Sequence, residues 1–258
     1  MTAWNPNQYL QFADERTRPA YDLVARVPVA NPKRIVDLGC GPGNSTAVLK
    51  KRWPAADVIG VDSSPEMIAA TKTADPTGTW VLADAATWTA ETPVDVIFSN
   101  ATLHWVPDHA AVFPHLFRQL APGGALAVQM TAHFDSPVHS LITTVAARPG
   151  WRGKPLTGKN VFTVERPAFY YDLLTPHAAS IDIWLTEYEH VMPSARAILD
   201  WVRATALRPT LAACADDTER AEFERQLLAE IERATPKRVD GKVLFPFRRL
   251  FIVAGRNG

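Results

Sequence analysis

An excess of charge of either sign is missing from this sequence: its 258 residues hold 27 Lys and Arg against 27 Asp and Glu, a formal net charge of zero. Such a chain has no overall field to draw in nucleic acid or an anionic membrane, so an anionic ligand has to be met by local charge. Cysteine is nearly absent as well. The two that occur, Cys40 and Cys214, lie far apart and give neither a disulfide framework nor a metal-ligand spacing. No apolar run is long enough to span a bilayer, and the first ten residues carry no basic stretch ahead of an apolar core. Repeats and low-complexity segments are absent too. The expectation is a cytoplasmic enzyme with a small-molecule partner, without metal, nucleic acid or membrane.

What is there is ordinary globular composition, 47% hydrophobic and 21% charged, in a chain long enough to bury a sizeable core. The rest is organised around Arg34-Ile-Val-Asp-Leu-Gly-Cys-Gly-Pro-Gly-Asn-Ser-Thr46. Ile35, Val36 and Leu38 suit a fully buried strand. Gly39, Gly41 and Gly43 then let the backbone turn sharply and come close to a ligand. A helix restarts at Asn44-Ser45-Thr46, whose side chains can cap a first turn. Strand, glycine turn and helix N-terminus in this order are how doubly wound α/β sheets hold nucleotide-like cofactors. A dinucleotide fingerprint wants Gly or Ala at the sixth position from Gly39, where Asn44 stands, so NAD is the weaker of two cofactor readings.

Further along, Val58-Ile-Gly-Val-Asp62 reads as a second buried strand ending in an acid, placed to accept both hydroxyls of an adenosine ribose. Ser63 or Ser64 caps the next helix, with Met67 turned toward the site. Trp80 to Asp84 reads as a third strand. Asp84 is placed for the adenine amine and Ala85 for the ring, while Trp88 either stacks on adenine or packs in the core. Val94 to Asn100 is a fourth strand running into Ala101-Thr-Leu-His-Trp-Val-Pro-Asp108. Ligands of open parallel sheets sit beyond the carboxyl ends of strands where strand order reverses, so the stretch from Asn100 through Trp105, Thr102 and His104 included, should line the reacting end.

A helix over 109–120, a turn at Ala121-Pro-Gly-Gly124 and a fifth strand over 125–130 follow. Residues 133–175 read as a loop-rich insertion that covers substrate. A strand over 181–190, amphipathic helices between 194 and 236, and a closing strand over 245–254 complete the expectation. Ahead of the sheet, Tyr9 and Phe12 sit at helical spacing, either packing on the domain or folding over the cofactor mouth as a lid. The whole, 1–258, is expected to be one α/β domain. Its Rossmann-like doubly wound sheet would be mostly parallel with an antiparallel late strand, plus a helical lid and insertion.

Val36-Asp-Leu-Gly-Cys-Gly-Pro-Gly43 and Leu120-Ala-Pro-Gly-Gly124 resemble motifs of the class I S-adenosylmethionine (SAM) dependent methyltransferases. The segment Trp4 to Ala20, the turn Leu103-His-Trp-Val-Pro-Asp108 and the end Phe247-Arg-Arg-Leu-Phe-Ile-Val-Ala254 are similar to one family among them, the trans-aconitate 2-methyltransferases. The resemblance covers nearly the whole chain. It implies methyl transfer from SAM to a carboxylate of trans-aconitate, leaving S-adenosylhomocysteine and a monomethyl ester. A carboxylate is already an anion at neutral pH, so no side chain is needed as a proton-transfer catalyst. The resemblance implies cofactor contacts at Asp37, near the cofactor's ammonium end, and at Gly39, Cys40, Gly41, Asn44, Asp62, Ser63, Met67, Asp84, Ala85 and Asn100. A polycarboxylate needs local cations and donors, for which His104, Trp105, Tyr9, Arg16, Arg152, Lys154, Tyr170 and Tyr171 are the candidates. Two other readings stand beside this one: SAM-dependent methylation of another acceptor, such as an acyl carboxylate, and a SAM-binding protein without turnover.

Overall fold

The structure, a computed structural model, describes residues 13–132, 137–151 and 163–258, with residues 13–16 described for their backbone alone. Seven strands form one sheet: β1 (Arg34–Leu38), β2 (Asp57–Asp62), β3 (Thr79–Leu82), β4 (Val94–Asn100), β5 (Leu120–Thr131), β6 (Ser180–Met192) and β7 (Val243–Gly255). Their order is β3-β2-β1-β4-β5-β7-β6. The first five run parallel and β7 enters antiparallel between β5 and β6. Strand order therefore reverses between β1 and β4, the crevice where open α/β sheets place ligands.

Alternate residues of the central strands feed two cores, as the period-two pleat requires. Ile35, Val96, Phe98, Ala125, Ala127 and Phe251 point to one face. There they meet Ala20, Leu23 and Val24 of α1 (Ala13–Ala25) and Val48 and Leu49 of α2 (Asn44–Arg52). Val36, Leu38, Ile97, Leu126, Val128 and Leu250 point to the other. They are covered by Val112, Phe113, Leu116 and Phe117 of α4 (His109–Arg118) and by Tyr170 and Leu174 of α6 (Pro167–Leu174). Between these, α3 (Pro65–Ala74) connects β2 to β3.

β5 pairs only with residues 249–255 of β7, whereas β6 follows β7 over its full length from Val243 to Gly255. The β6–β7 ribbon thus overhangs the sheet, and its projecting residues Met192, Val243, Phe245 and Phe247 carry a third apolar cluster. On it sit α5 (Pro137–Ala146), α7 (Ala195–Arg203) and α9 (Asp217–Ala234), with the short α8 (Arg208–Ala212) between the last two. α5 and α6 fall inside the stretch expected to be loop. Their apolar residues Val138, Ile142, Val145 and Leu174 find tertiary partners that local spacing does not reveal.

The turn before β5 also differs from expectation. The helix ends at Arg118 rather than Leu120, and Leu120 already pairs with Val94. The register then shifts, so that Val96 meets Ala125, and Pro122-Gly123-Gly124 are absorbed as an irregularity within the strand. The last rungs, Ser99↔Val128 and Asn100↔Gln129, aim both carboxyl ends at one place.

Candidate active site

The carboxyl ends of β1 to β4 open into a cleft of about 1150 Å³. Gly39, Cys40, Gly41 and Asn44 line it from the turn after β1, Asp62, Ser63 and Met67 from the end of β2 and the start of α3, and Asp84 and Ala85 from the loop after β3. Asn100 and Trp105 line it from the end of β4 and the 3₁₀ turn Leu103–Trp105. These eleven expected residues meet around one space.

Backbone geometry explains why the turn must be glycine. Gly39 has φ +79°, and a Cβ there would fall 2.1 Å from the Thr102 side chain, whose hydroxyl donates to the Gly39 carbonyl at 3.0 Å. Gly41 has φ +54° and nothing within 4 Å of the Cβ position, so its backbone faces open space. The Gly41 N–H donates to Asp62 Oδ2 and the Ser64 N–H to Asp62 Oδ1, both at 2.9 Å. These bonds fix the carboxylate at the rim. Burial raises the Asp62 pKa, and the backbone amides of Ser64, Gly41 and Ser63 offset part of the rise. Asp84 Oδ1 accepts from the Ala86 N–H at 2.8 Å, so the second acid is oriented in the same way. Asn100 carries a buried Oδ1 that accepts no hydrogen bond. Ala101 beside it adopts φ 58°, unusual for a residue with a Cβ, and donates its N–H to the Gln129 carbonyl at 3.0 Å.

Three expected site residues stand away from the lining. Asp37 does not reach the cleft: it is fully buried and its Oδ2 accepts from Ser45 Oγ at 2.7 Å and Thr46 Oγ1 at 2.6 Å. The hydroxyls expected to cap α2 turn inward to this carboxylate instead, and burial raises its pKa to about 6. Tyr170 is buried in the core against Phe113, because its apolar ring has a place there. Its hydroxyl donates to His109 Nδ1 at 2.7 Å and accepts from the Glu165 N–H at 3.0 Å, while His109 Nε2–H donates to the Leu103 carbonyl at 2.8 Å. That relay anchors the 3₁₀ turn rather than a ligand. His104 is buried behind the cleft wall, where desolvation and the nearby Arg249 charge push its pKa down to about 3. Of the two places expected for Trp88, it takes the one in the core and has no part in the lining.

Tyr171 is exposed on α6. Tyr9, Arg152 and Lys154 lie outside the described residues, and Arg16 is placed by its backbone in α1 only. Thr102 of the expected stretch also lines the cleft, and the lining holds residues that periodicity did not single out: Thr17 of α1, and Arg208, Pro209 and Ala212 of α8. Arg208 is the one basic side chain of the lining among the described residues. It sits in a short segment with no motif to mark it, and only the overhanging cap brings it there.

Residues 35–124, from β1 to the turn within β5, match a family model described as a methyltransferase domain. Sheet order, glycine turn, acidic strand ends and this match together define a methyltransferase of the Rossmann-like class. The chain is 49% identical over 257 residues to trans-aconitate 2-methyltransferase of Azoarcus sp. (strain BH72), covering 99% of this chain and 100% of that protein. It is 49% identical to the protein of the same name from Methylobacterium radiotolerans, covering 98% of each. The chain belongs to the trans-aconitate 2-methyltransferase family. The fold is shared with Haemonchus contortus phosphoethanolamine N-methyltransferase 2 in complex with S-adenosyl-L-methionine, at TM-score 0.56 and 17% identity, over 93% of this chain and 53% of that one.

Proposed function

We propose that this protein transfers the methyl group of SAM to a carboxylate of trans-aconitate, giving a monomethyl ester and S-adenosylhomocysteine. The observation that carries the reading is the convergence of the glycine turn, Asp62, Asp84 and Asn100 on one cleft. The acceptor is taken from the end-to-end likeness to proteins of that name.

The residues present fit the cofactor. Asp62, held by two backbone amides, offers its remaining acceptor capacity to a ribose diol. Asp84 and Ala85 suit an exocyclic amine and a ring nitrogen, and Met67 and Leu82 give apolar flanks. The unpartnered Asn100 Oδ1 is an acceptor suited to an ammonium group. When bound, SAM supplies a methyl group activated by its own sulfonium. The protein's remaining work is to hold the acceptor oxygen in line at near-attack distance and keep water out. No proton has to be removed from a group whose reference pKa is near 4. Hence no general base is assigned, and Arg208 supplies positive charge at the rim for a polyanionic ligand. An acceptor that is wholly apolar suits this lining less well.

Cap and sheet are proposed to fold as a single domain, since one ribbon, β6–β7, belongs to both. Among the described residues no helix is long and apolar enough to cross a membrane, and both cysteines are buried thiols. These features support a cytoplasmic place of work.

Methyl-labelled SAM incubated with trans-aconitate, citrate and a medium-chain fatty acid tests the activity. Base-labile label should appear in trans-aconitate. Preferential labelling of the fatty acid, or binding of SAM with no labelled product, would overturn the reading.

A further inference from the structure

Behind the cleft lies a cluster that the cofactor contacts do not use. Arg249 of β7 is 3% exposed and pairs with Thr131 of β5 on one side and Thr186 of β6 on the other. It therefore stands at the carboxyl end of β5, inside the sheet. Its Nη1 lies 3.5 Å from Gln129 Oε1, and its guanidinium lies 4.5 Å from the centre of the Phe247 ring. Gln129 is fully buried and its Nε2 donates no hydrogen bond. One rung further, Gln129 faces Asn100, whose Oδ1 is likewise unpartnered and which already lines the cleft. Asn100, Gln129 and Arg249 thus form a polar row that runs from the cleft wall into the sheet. A buried amide donor left unused costs about 1–3 kcal/mol, so such an atom calls for a ligand.

Three histidines surround Arg249 among the described residues. His104, His139 and His190 all sense Arg249, and desolvation together with its charge pushes their pKa values down to about 3, 4 and 4. At neutral pH they are uncharged rings around a permanent cation. Among the described residues no group of His, Cys, Asp and Glu is placed to hold a metal, so the histidines do not read as ligands.

We propose that Arg249 and Gln129, reached past Asn100, form the inner seat for a carboxylate of the acceptor, gripping it with guanidinium and amide N–H donors. The seat rests on the polycarboxylate acceptor proposed above and adds what selects it. One carboxylate anchored in the sheet leaves another free to meet the methyl group. It also explains how a chain of zero net charge recognises a polyanion: the charge is concentrated in one desolvated place, where a charge-assisted contact is strongest.

The test compares the full-length protein with Arg249→Met and Gln129→Glu, the second placing an anion where the carboxylate would sit. Calorimetry gives S-adenosylhomocysteine binding, and labelled SAM gives kcat and KM for trans-aconitate. Both variants should bind S-adenosylhomocysteine within about twofold of wild type and raise KM for trans-aconitate by about 30-fold or more, the scale of a lost charged hydrogen bond. Unchanged KM in a variant that binds S-adenosylhomocysteine normally would overturn the seat. Should Arg249→Met fail to fold, Gln129→Glu decides by the same criterion, and a fold-preserving Arg249→Lys should recover part of the KM. A wild type that binds S-adenosylhomocysteine but makes no ester would overturn the proposed reaction. Binding of trans-aconitate itself, measured with S-adenosylhomocysteine present, then judges the seat, and absence of binding or equal binding by both variants counts against it.

Discussion

The Asp62 carboxylate at the end of β2 accepts the backbone N–H of Gly41 from the neighbouring β1–α2 turn, at 2.9 Å. The acid and the glycine turn are therefore one unit: the turn orients the carboxylate proposed to hold the ribose, and the acid pins the turn. A second amide, that of Ser64, completes the support. Asp62→Ala should weaken S-adenosylhomocysteine binding by about 30-fold or more, about 2 kcal/mol, since two charge-assisted hydrogen bonds to the ligand vanish. Calorimetry checks this. An affinity within threefold of wild type would remove Asp62 from the cofactor site.

Gly39 should tolerate no side chain. Its Cβ would stand 2.1 Å from Thr102 in a backbone conformation with φ +79°. Gly39→Ala should cost more than about 2 kcal/mol by urea unfolding, combining a steric clash with left-handed strain. Adding Thr102→Ala should restore part of that, because the clash goes and only the strain of about 1–2 kcal/mol stays. If the double variant is no more stable than the single one, the clash is not the cause.

Much of the sheet is legible from sequence because its strands are short buried apolar runs bounded by glycine, proline and acids. Ile35 to Leu38 and Val94 to Asn100 give the central pair, and the acids Asp62, at the end of β2, and Asp84, two residues past β3, line the cleft. Legibility stops where contacts are long-range. The motif position of Asp37 points to the site, yet burial against Ser45 and Thr46 keeps it out of the lining. Arg249 and Gln129 sit in apolar strand segments whose pattern reads as core. Only the β5–β7 pairing, with Arg249 opposite Thr131, shows them to be a buried polar pair next to Asn100. The cap contributes Arg208 by overhang of β6 and β7, a consequence of unequal strand lengths that no local pattern encodes.

Tyr170 should be a stability residue rather than a substrate contact. Tyr170→Phe keeps the ring against Phe113 but strands His109 Nδ1 and the Glu165 N–H. Loss of a buried hydroxyl that serves two partners should cost about 1–3 kcal/mol, with KM for trans-aconitate within twofold of wild type. A KM increase of tenfold at unchanged stability would return the hydroxyl to the substrate side.

Stability should fall as the pH drops below neutrality. His104 and His190 are 4% and 5% exposed, with pKa values pushed down to about 3 and 4 against an ordinary 6.5, so the unfolded chain takes up their protons first. The stability they confer is complete above pH 6.5 and is lost progressively as the pH falls toward 4. At pH 5 each histidine accounts for about 2 kcal/mol of loss. Asp37 works in the opposite sense. Its pKa is raised from 3.8 to about 6, so its burial penalty is full above pH 6 and is relieved as the carboxyl takes a proton. It returns about 1 kcal/mol by pH 5. The two histidines win, and urea midpoints should drop between pH 7 and pH 5, with His190→Gln showing the shallower decline. A midpoint that stays level over that interval would mean that the histidines protonate within the fold, contrary to their burial beside Arg249.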